Sequence, residues 1–298
     1  MLARADLILA VGTRLGDTPT QGYRLPRAPV PEQPLIHVWP DPDVLGRVFA
    51  TDLALPCDPA LFCDALAACP PGPDVSAWAA EARGAAARLM GYEVRAFEDG
   101  LDFGAVALAL ARQAPAGAIM VTDSGNFSSW IHRVWPWDGA TPAIGAAGGA
   151  MGLGVPGAVA ACLRYPDRAV ICVTGDGGAL MTGAEFATAM ACGAAPKIVV
   201  CDNSTYGTIR LHQERAYPGR VSGTGLVNPD FAAWGRSFGA LGLTVTEAGE
   251  VDGAVAQLLA HDGAGVLHVR ASAEAISALT TLTALRSASL RPEAATPG

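Results

Sequence analysis

Arg168-Ala-Val-Ile-Cys-Val-Thr-Gly-Asp-Gly-Gly178 and Lys197-Ile-Val-Val-Cys-Asp-Asn-Ser-Thr-Tyr-Gly207 are the two stretches that decide the fold. Each opens on a short β-branched apolar run, which predicts buried strands over 168–174 and 197–202. A helical stretch from about Thr182 to Cys192 separates them. Strand, helix, strand in this order predicts parallel neighbours. Their carboxyl ends then present Asp176 and Asn203 side by side. A carboxylate and a carboxamide are hard oxygen ligands of the kind Mg2+ takes, and Mg2+ usually shares its octahedron with phosphate oxygens. Gly175, Gly177 and Gly178 let the backbone approach a phosphate, and the next helix offers free N–H groups at its N-terminus. The implied ligand is a magnesium diphosphate at the carboxyl ends of the strands, where open α/β sheets bind ligands.

The bulk of the chain agrees with an α/β protein of one large or two ordinary domains. It has 298 residues, of which 51% are hydrophobic and 16% charged. The net charge of −8 comes without a basic cluster, which argues against nucleic acid and anionic membranes as partners. The apolar start, Leu7-Ile-Leu-Ala-Val11, follows Asp6 and runs into Gly12-Thr-Arg14. It therefore reads as a strand and its turn rather than a leader. No run approaches the ~18 apolar residues of a membrane span. Seven cysteines, at 57, 63, 69, 162, 172, 192 and 201, form no Cys-x-x-Cys pair. They read as reduced thiols of a cytoplasmic protein, with Cys162, Cys172, Cys192 and Cys201 inside strands or helices.

Strands are expected over Asp6–Val11, Pro34–Val38 and Leu53–Pro56, and a helix over Pro59–Ala68. Cys69-Pro-Pro-Gly-Pro73 is a breaker cluster and the clearest boundary. An Ala-rich helix is expected around Val75–Glu98, and strand/helix alternation from Phe103 to about Ala271. Asn228-Pro-Asp-Phe231 reads as a helix start with Asn228 as N-cap. Residues from about Leu282 to Gly298 lack apolar periodicity and read as a loose tail.

The motif pair carries a family resemblance. Gly175-Asp-Gly-Gly-Ala-Leu-Met-Thr-Gly-Ala-Glu-Phe-Ala-Thr-Ala189 and Asp202-Asn-Ser-Thr-Tyr-Gly-Thr-Ile-Arg210, at their interval, resemble the diphosphate-anchoring motif of thiamine diphosphate enzymes. The match is closest to the acetolactate synthase-like branch, which usually has Asn-Asn where this chain has Asp202-Asn203. Ala5-Asp-Leu-Ile-Leu-Ala-Val-Gly-Thr-Arg14 and Pro34-Leu-Ile-His-Val-Trp-Pro-Asp-Pro-Asp43 resemble the middle of that family's central domain. The resemblance implies doubly wound parallel sheets throughout. It implies a partial Rossmann-like central domain over 1–68, a linker and helix over 69–100, the diphosphate-side domain over 101–275 and a tail over 276–298. It also implies that the pyrimidine-binding domain and the first half of the central domain are missing, and that the chain begins at an internal Met.

The resemblance assigns roles residue by residue. Asp176 and Asn203 would hold Mg2+ with their side chains and Thr205 with its carbonyl. Ser124, Gly125 and Asn126, in Thr122-Asp-Ser-Gly-Asn-Phe127, would wrap the diphosphate of thiamine diphosphate, with Gly175, Gly177 and Gly178. Many members have Gln-His at Asn126-Phe127, and Phe127 cannot donate a hydrogen bond. Met151 would sit under the cofactor and bend it, and the backbones of Gly149 and Met151 would hold the aminopyrimidine. Without the resemblance, Gly145–Pro156 reads equally as close helix-to-strand packing, and the 122–127 turn as a capped strand end. His212 and Arg210 stand just past the metal loop, where a role with a substrate carboxylate and a plain helix surface are both open. Glu185 matches a structural position. His37, His132, His261 and His268 show no partners in sequence.

The implied activity is decarboxylation or carboligation of a 2-oxo acid, with homo-oligomerisation in the complete enzyme. The proton-relaying Glu of the pyrimidine domain is not here, so the chain alone is expected to be inactive. A diphosphate-binding subunit of a split decarboxylase remains an alternative. So does a non-catalytic nucleotide-binding module, against which stands the lack of Gly-x-Gly-x-x-Gly after any strand. Whether FAD binds is left open.

Overall fold

The computed structural model describes residues 2–137 and 141–289. The chain divides into two compact units, Met1–Ala86 and Ala87–Gly298. In the first, β1 (Ile8–Val11), β2 (Leu35–Val38) and β3 (Leu53–Leu55) form a parallel sheet in the order β1-β2-β3. Alternation of side chains puts Ile8, Ala10 and Leu35 into a small core with Leu15 and Phe49. Leu9 and Leu53 are exposed on the other face. Helix α1 (Pro59–Ala67) starts on Asp58, whose carboxylate accepts from the N–H groups of Ala60 and Leu61, with Pro59 at the first helical position. Helix α2 (Ser76–Met90) ends before Gly91, and the division between the units falls within it.

The second unit holds α3 (Phe103–Gln113), β4 (Ile119–Thr122), α4 (Ser128–Val134), β5 (Ala143–Gly145) and α5 (Gly154–Arg164). It continues with β6 (Val170–Gly175), α6 (Asp176–Thr182), α7 (Phe186–Ala191), β7 (Lys197–Asp202) and α8 (Gly207–Ala216). It closes with α9 (Phe231–Ser237), β8 (Leu241–Val245), α10 (Val251–Ala260), β9 (Gly265–Arg270) and α11 (Leu282–Ser289). The six strands pair in parallel in the order β5-β4-β6-β7-β9-β8. Strand order reverses between β4 and β6, so the carboxyl ends of these strands form a switch-point crevice.

Alternation along β6 explains why its run is apolar from Val170 to Val173. Ile171 and Val173 pack with Phe103, Leu110, Trp130 and Leu258 of α3, α4 and α10, while Val170 and Cys172 pack with Val159, Phe186 and Phe231 of α5, α7 and α9. A strand covered on both faces favours apolar side chains, and the one polar side chain of β6, Thr174, is hydrogen-bonded to Asp123. Each such aliphatic side chain, fully buried, contributes about 1.5–3 kcal/mol. Among the described residues no helix is long and apolar enough to cross a membrane. All seven cysteines are free; Cys162, Cys172 and Cys201 are buried, but Cys192, expected inside, is exposed at the end of α7.

Four expectations change. The Ala-rich helix expected to run to Glu98 stops at Met90. The helix after the Gly-Asp-Gly turn begins at Asp176 rather than near Thr182, with Gly175 as its N-cap. The helix over 231–237 is capped by Asp230, which accepts from the N–H of Ala233; Asn228 points elsewhere. The tail is ordered in its first half. Leu282 and Leu285 of α11 are buried with Leu211 of α8 and with Ile276, and residues 290–298 lie outside the described residues.

An ion pair fixes α11. Arg286 donates from Nε to Oε2 of Glu214 at 2.8 Å, and from Nη2 to Oε1. Glu214 is out of solvent and also accepts from the N–H of Gly219. The Arg286 hydrogen bonds hold the Glu214 carboxyl down at about 2. A depressed carboxyl stabilises the fold above its ordinary range, and that contribution disappears as pH falls from there toward the folded value. The melting temperature of wild type should therefore exceed that of Glu214→Gln at pH 7, with the gap shrinking between pH 4.5 and about 2. A gap independent of pH would mean the pair does not anchor α11.

Candidate active site

Register brings the two motif ends together. Gly175 of β6 lies opposite Cys201 of β7, so Asp176 leaves its strand opposite Asp202, with Asn203 one residue beyond. One cavity is lined by Asp176, Asn203 and Thr205, by Gly175, Gly177 and Gly178, by Ser124, Gly125 and Asn126, and by Met151. Its apolar wall is Phe103, Phe127, Trp130 and Ile276. Gly149 lines the adjoining hollow, together with His132, Ser128 and Met151. Of the candidates for the site picked from sequence, His212 and Arg210 lie outside both: His212 is exposed on α8, and Arg210 pairs with Glu214 at 3.9 Å. Glu185 is exposed and accepts from the Thr188 hydroxyl at 2.8 Å.

Two glycines owe their place to close approach. A Cβ on Gly177 would stand 2.5 Å from the Tyr206 ring. A Cβ on Gly178 would stand 2.5 Å from Asp123 Oδ2 and 2.9 Å from Thr174 Oγ1. Gly149 has φ +69° with open space around it, a conformation that favours glycine. Ser204 adopts φ 54° in the loop after β7, held by its N–H to Asp202 Oδ1 at 3.0 Å.

Asp176 is buried. Its Oδ1 accepts from the N–H of Gly177 at 2.9 Å and its Oδ2 from Asn228 Nδ2 at 2.7 Å. Burial pushes this carboxyl up to about 6 against those two donors, and the negative Asp202 adds to the rise. Asp202 goes the other way. Burial alone would raise it, but hydrogen bonds from His268, Asn228 and the Ser204 N–H, with the charge of Arg270, hold it below the usual carboxylate range.

Several residues here carry no sign in the sequence. Asp123, at the end of β4, is buried and accepts from the N–H groups of Ser124 (2.7 Å) and Gly152 (2.8 Å) and from Thr174 Oγ1 (3.0 Å). It thus fixes the backbone beside Met151. Thr208 donates to Asn126 Oδ1 at 3.0 Å and accepts from the Asn126 N–H at 3.1 Å. This leaves Asn126 Nδ2 buried without a partner. Asn228, Asp202 and His268 form the cluster already named. His268, for which the sequence showed no partner, donates from Nε2 to Asp202 Oδ2 at 2.8 Å.

The remaining wall comes from residues 271–276. Ala271 bridges to Leu101, and Ser272 donates its N–H to the Leu101 carbonyl at 2.8 Å. Asp99 accepts from the Ser272 hydroxyl and from the N–H groups of Ala273 and Glu274. Ala271, Ser272, Ala275 and Ile276 are thereby held against the cavity.

The donor set fits a magnesium diphosphate. It offers a buried carboxylate and a carboxamide on oxygen, a wall with no Cβ at Gly177 and Gly178, and an orphaned donor, Asn126 Nδ2, that needs an acceptor.

The comparisons agree with this geometry. The family described as thiamine pyrophosphate enzyme, C-terminal TPP binding domain, matches residues 123–269. The thiamine pyrophosphate enzyme central domain matches residues 1–66. An acetolactate synthase large subunit of Parasynechococcus marenigrum (strain WH8102) is 39% identical over 145 residues, 48% of this chain and 23% of that protein. The acetolactate synthase isozyme 1 large subunit of Escherichia coli (strain K12) is 26% identical over 294 residues, 92% of this chain and 48% of that one. Among solved structures, a thiamine diphosphate-dependent 4-hydroxybenzoylformate decarboxylase of Rhodococcus jostii RHA1 superposes with a TM-score of 0.70 at 25% identity, over 90% of this chain and 49% of that one. The chain spans at most about half the length of these relatives. With the central-domain and C-terminal matches together taking up most of its length, the chain belongs to the thiamine pyrophosphate enzymes.

Proposed function

We propose that this chain provides the diphosphate side of a thiamine diphosphate- and Mg2+-dependent 2-oxo acid carboligase or decarboxylase of acetolactate synthase type. The observation that carries the reading is the pairing of Asp176 with Asn203 at neighbouring strand ends above a wall that lacks Cβ atoms. Asp176, Asn203 and the Thr205 carbonyl hold the metal. Gly175, Gly177, Gly178, Ser124, Gly125 and Asn126 face the diphosphate, and Asn126 Nδ2 finds there the acceptor it otherwise lacks. Phe127 takes a position that often carries a donor; here its ring packs within reach of Gly125 and Gly175 and excludes water. Gly149 and Met151 meet the pyrimidine end. When bound, the cofactor supplies carbanion stabilisation, and the protein supplies binding, orientation and a dry cavity.

Asp176 is the one carboxylate among the described residues lining this cavity, where the metal claims it, and Asp123, which lines the adjoining hollow, is tied to the Ser124 and Gly152 N–H groups and to Thr174. The acid that works the aminopyrimidine therefore comes from a pyrimidine-binding domain, either in the same polypeptide or on a second chain. The test is formation of acetolactate and CO2 from pyruvate by the 298-residue chain with cofactor and Mg2+. No turnover is expected alone, and turnover on adding a pyrimidine-binding domain in trans. Robust turnover by the chain alone, absent in a cofactor-site variant, would show that a residue here does the acid's work.

Met151 gives a sharper check on orientation. Its flexible thioether conforms to an irregular surface, and its methyl lies 3.4 Å from where a Cβ of Gly177 would stand. In the reconstituted enzyme, Met151→Ala should lower kcat by about 10–100-fold, the scale of a lost near-attack geometry, while cofactor affinity changes little. Equal losses in both would make Met151 ordinary packing.

A further inference from the structure

We propose that Asn228 and Asp202 form a positioning pair for the metal ligand Asp176, with Asn228 as the bridge and Asp202 as its fixed post. The proposal rests on the reading above, that Asp176 holds the divalent cation. Asn228 lies on the segment leading into α9, far in sequence from both motif strands. Its Nδ2 lies 2.7 Å from Asp176 Oδ2 and 2.7 Å from Asp202 Oδ1. One amide nitrogen thus spends one hydrogen on each of two carboxylates that leave adjacent strands at the same level. The orientation of the amide is dictated by chemistry: turned over, its oxygen would face two carboxylate oxygens with no proton between them. Asn228 Oδ1 has no partner, so the two Nδ2 bonds are what hold this side chain.

A bridge positions only if its far end is fixed. Asp202 Oδ1 also accepts from the N–H of Ser204 at 3.0 Å and its hydroxyl at 3.2 Å. Its Oδ2 takes His268 Nε2 at 2.8 Å and Arg270 Nη1 at 2.7 Å. With both oxygens saturated, this carboxylate can neither rotate nor reach a metal itself. It carries charge that Arg270 offsets, and it gives Asn228 a stationary acceptor. Asp176, whose own Oδ1 is tied to the Gly177 N–H, is then set in one rotamer before any cation arrives. Such supporting hydrogen bonds orient the ligands of metal sites and set their affinity. The departure from Asn-Asn at Asp202-Asn203 acquires a reason: only an acceptor on both oxygens suits the five donor groups around position 202.

The test is calorimetric titration of the 298-residue chain with Mg2+ at saturating thiamine diphosphate, repeated with Mn2+ and its electron paramagnetic resonance line shape. Asn228→Ala should weaken Mg2+ by about 10–100-fold and broaden the Mn2+ signal. Asp202→Asn should do both to a smaller degree, about 3–10-fold. The double variant should be no weaker than Asn228→Ala alone, because the post acts only through the bridge. Losses that multiply in the double variant would overturn the pair. So would wild-type affinity in Asn228→Ala while Asp176→Ala abolishes binding. If Asn228→Ala does not fold by circular dichroism, wild-type affinity and line shape in Asp202→Asn would overturn it equally. Cofactor binding that ignores Mg2+ in the wild type would instead remove the reading beneath it.

Discussion

Asp176→Ala is expected to abolish Mg2+-dependent binding of thiamine diphosphate. The carboxylate is buried at the first position of α6, between the Gly177 N–H and the Asn228 amide. Without it the metal loses its charged ligand, and the diphosphate faces the crevice without a counter-ion. Removing one partner of a buried charge pair costs about 3–5 kcal/mol, two to three decades or more in affinity. Calorimetric titration with cofactor, in Mg2+ and in EDTA, checks this. Wild type should bind only in Mg2+, and the variant in neither condition. The apo variant should keep its melting temperature within about 3 °C, since relief of a buried carboxylate offsets the lost amide partner. Undiminished binding in the variant would remove Asp176 from the metal site.

The second large effect is expected at Gly178. An added methyl in Gly178→Ala meets Asp123 Oδ2 and Thr174 Oγ1, both too close for a real Cβ. Neither neighbour is a flexible end: Asp123 is tied to Ser124, Gly152 and Thr174. Overpacking of this kind costs about 1–3 kcal/mol, which for a unit of this size is about 2–10 °C in melting temperature. Displacing Asp123 also frees the Gly152 N–H, so the backbone beside Met151 loosens and cofactor affinity falls with stability. Thermal melts with and without cofactor and Mg2+ read both. A variant as stable and as competent as wild type would show that the wall yields at that point.

The two motif strands and their adjacency are legible in the sequence because burial on both faces keeps the middle of each run apolar and rich in β-branched residues. Val170–Gly175 and Lys197–Asp202 fall where the runs predict. The start of α6 is not legible, since Gly177 and Gly178 have poor helix propensity and read as loop; tertiary packing against Asp123 and Tyr206 overrides that preference. Asn228 misleads for a different reason. Asn before Pro-Asp is a good cap by local rules, but Asp230 takes that duty and frees Asn228 for two carboxylates, one at the start of α6 and one at the end of β7. Helix α11 is hidden because its hold is two leucines and one ion pair to Glu214, far away in sequence. Local pattern can report neither a partner across the fold nor a carboxylate that needs one.

The wall formed by Ala271, Ser272, Ala275 and Ile276 has a consequence for how the protein is made. Synthesis delivers the amino end first, so the turn at Asp123, the Gly-Asp-Gly segment and the loop at Asn203 all leave the ribosome before that wall exists. Until Ser272 to Glu274 reach Asp99, the nascent crevice lacks that flank. A premature stop just past β9 would release a polypeptide with every metal-site residue in place and the sheet complete, yet with no closed chamber for its chemistry.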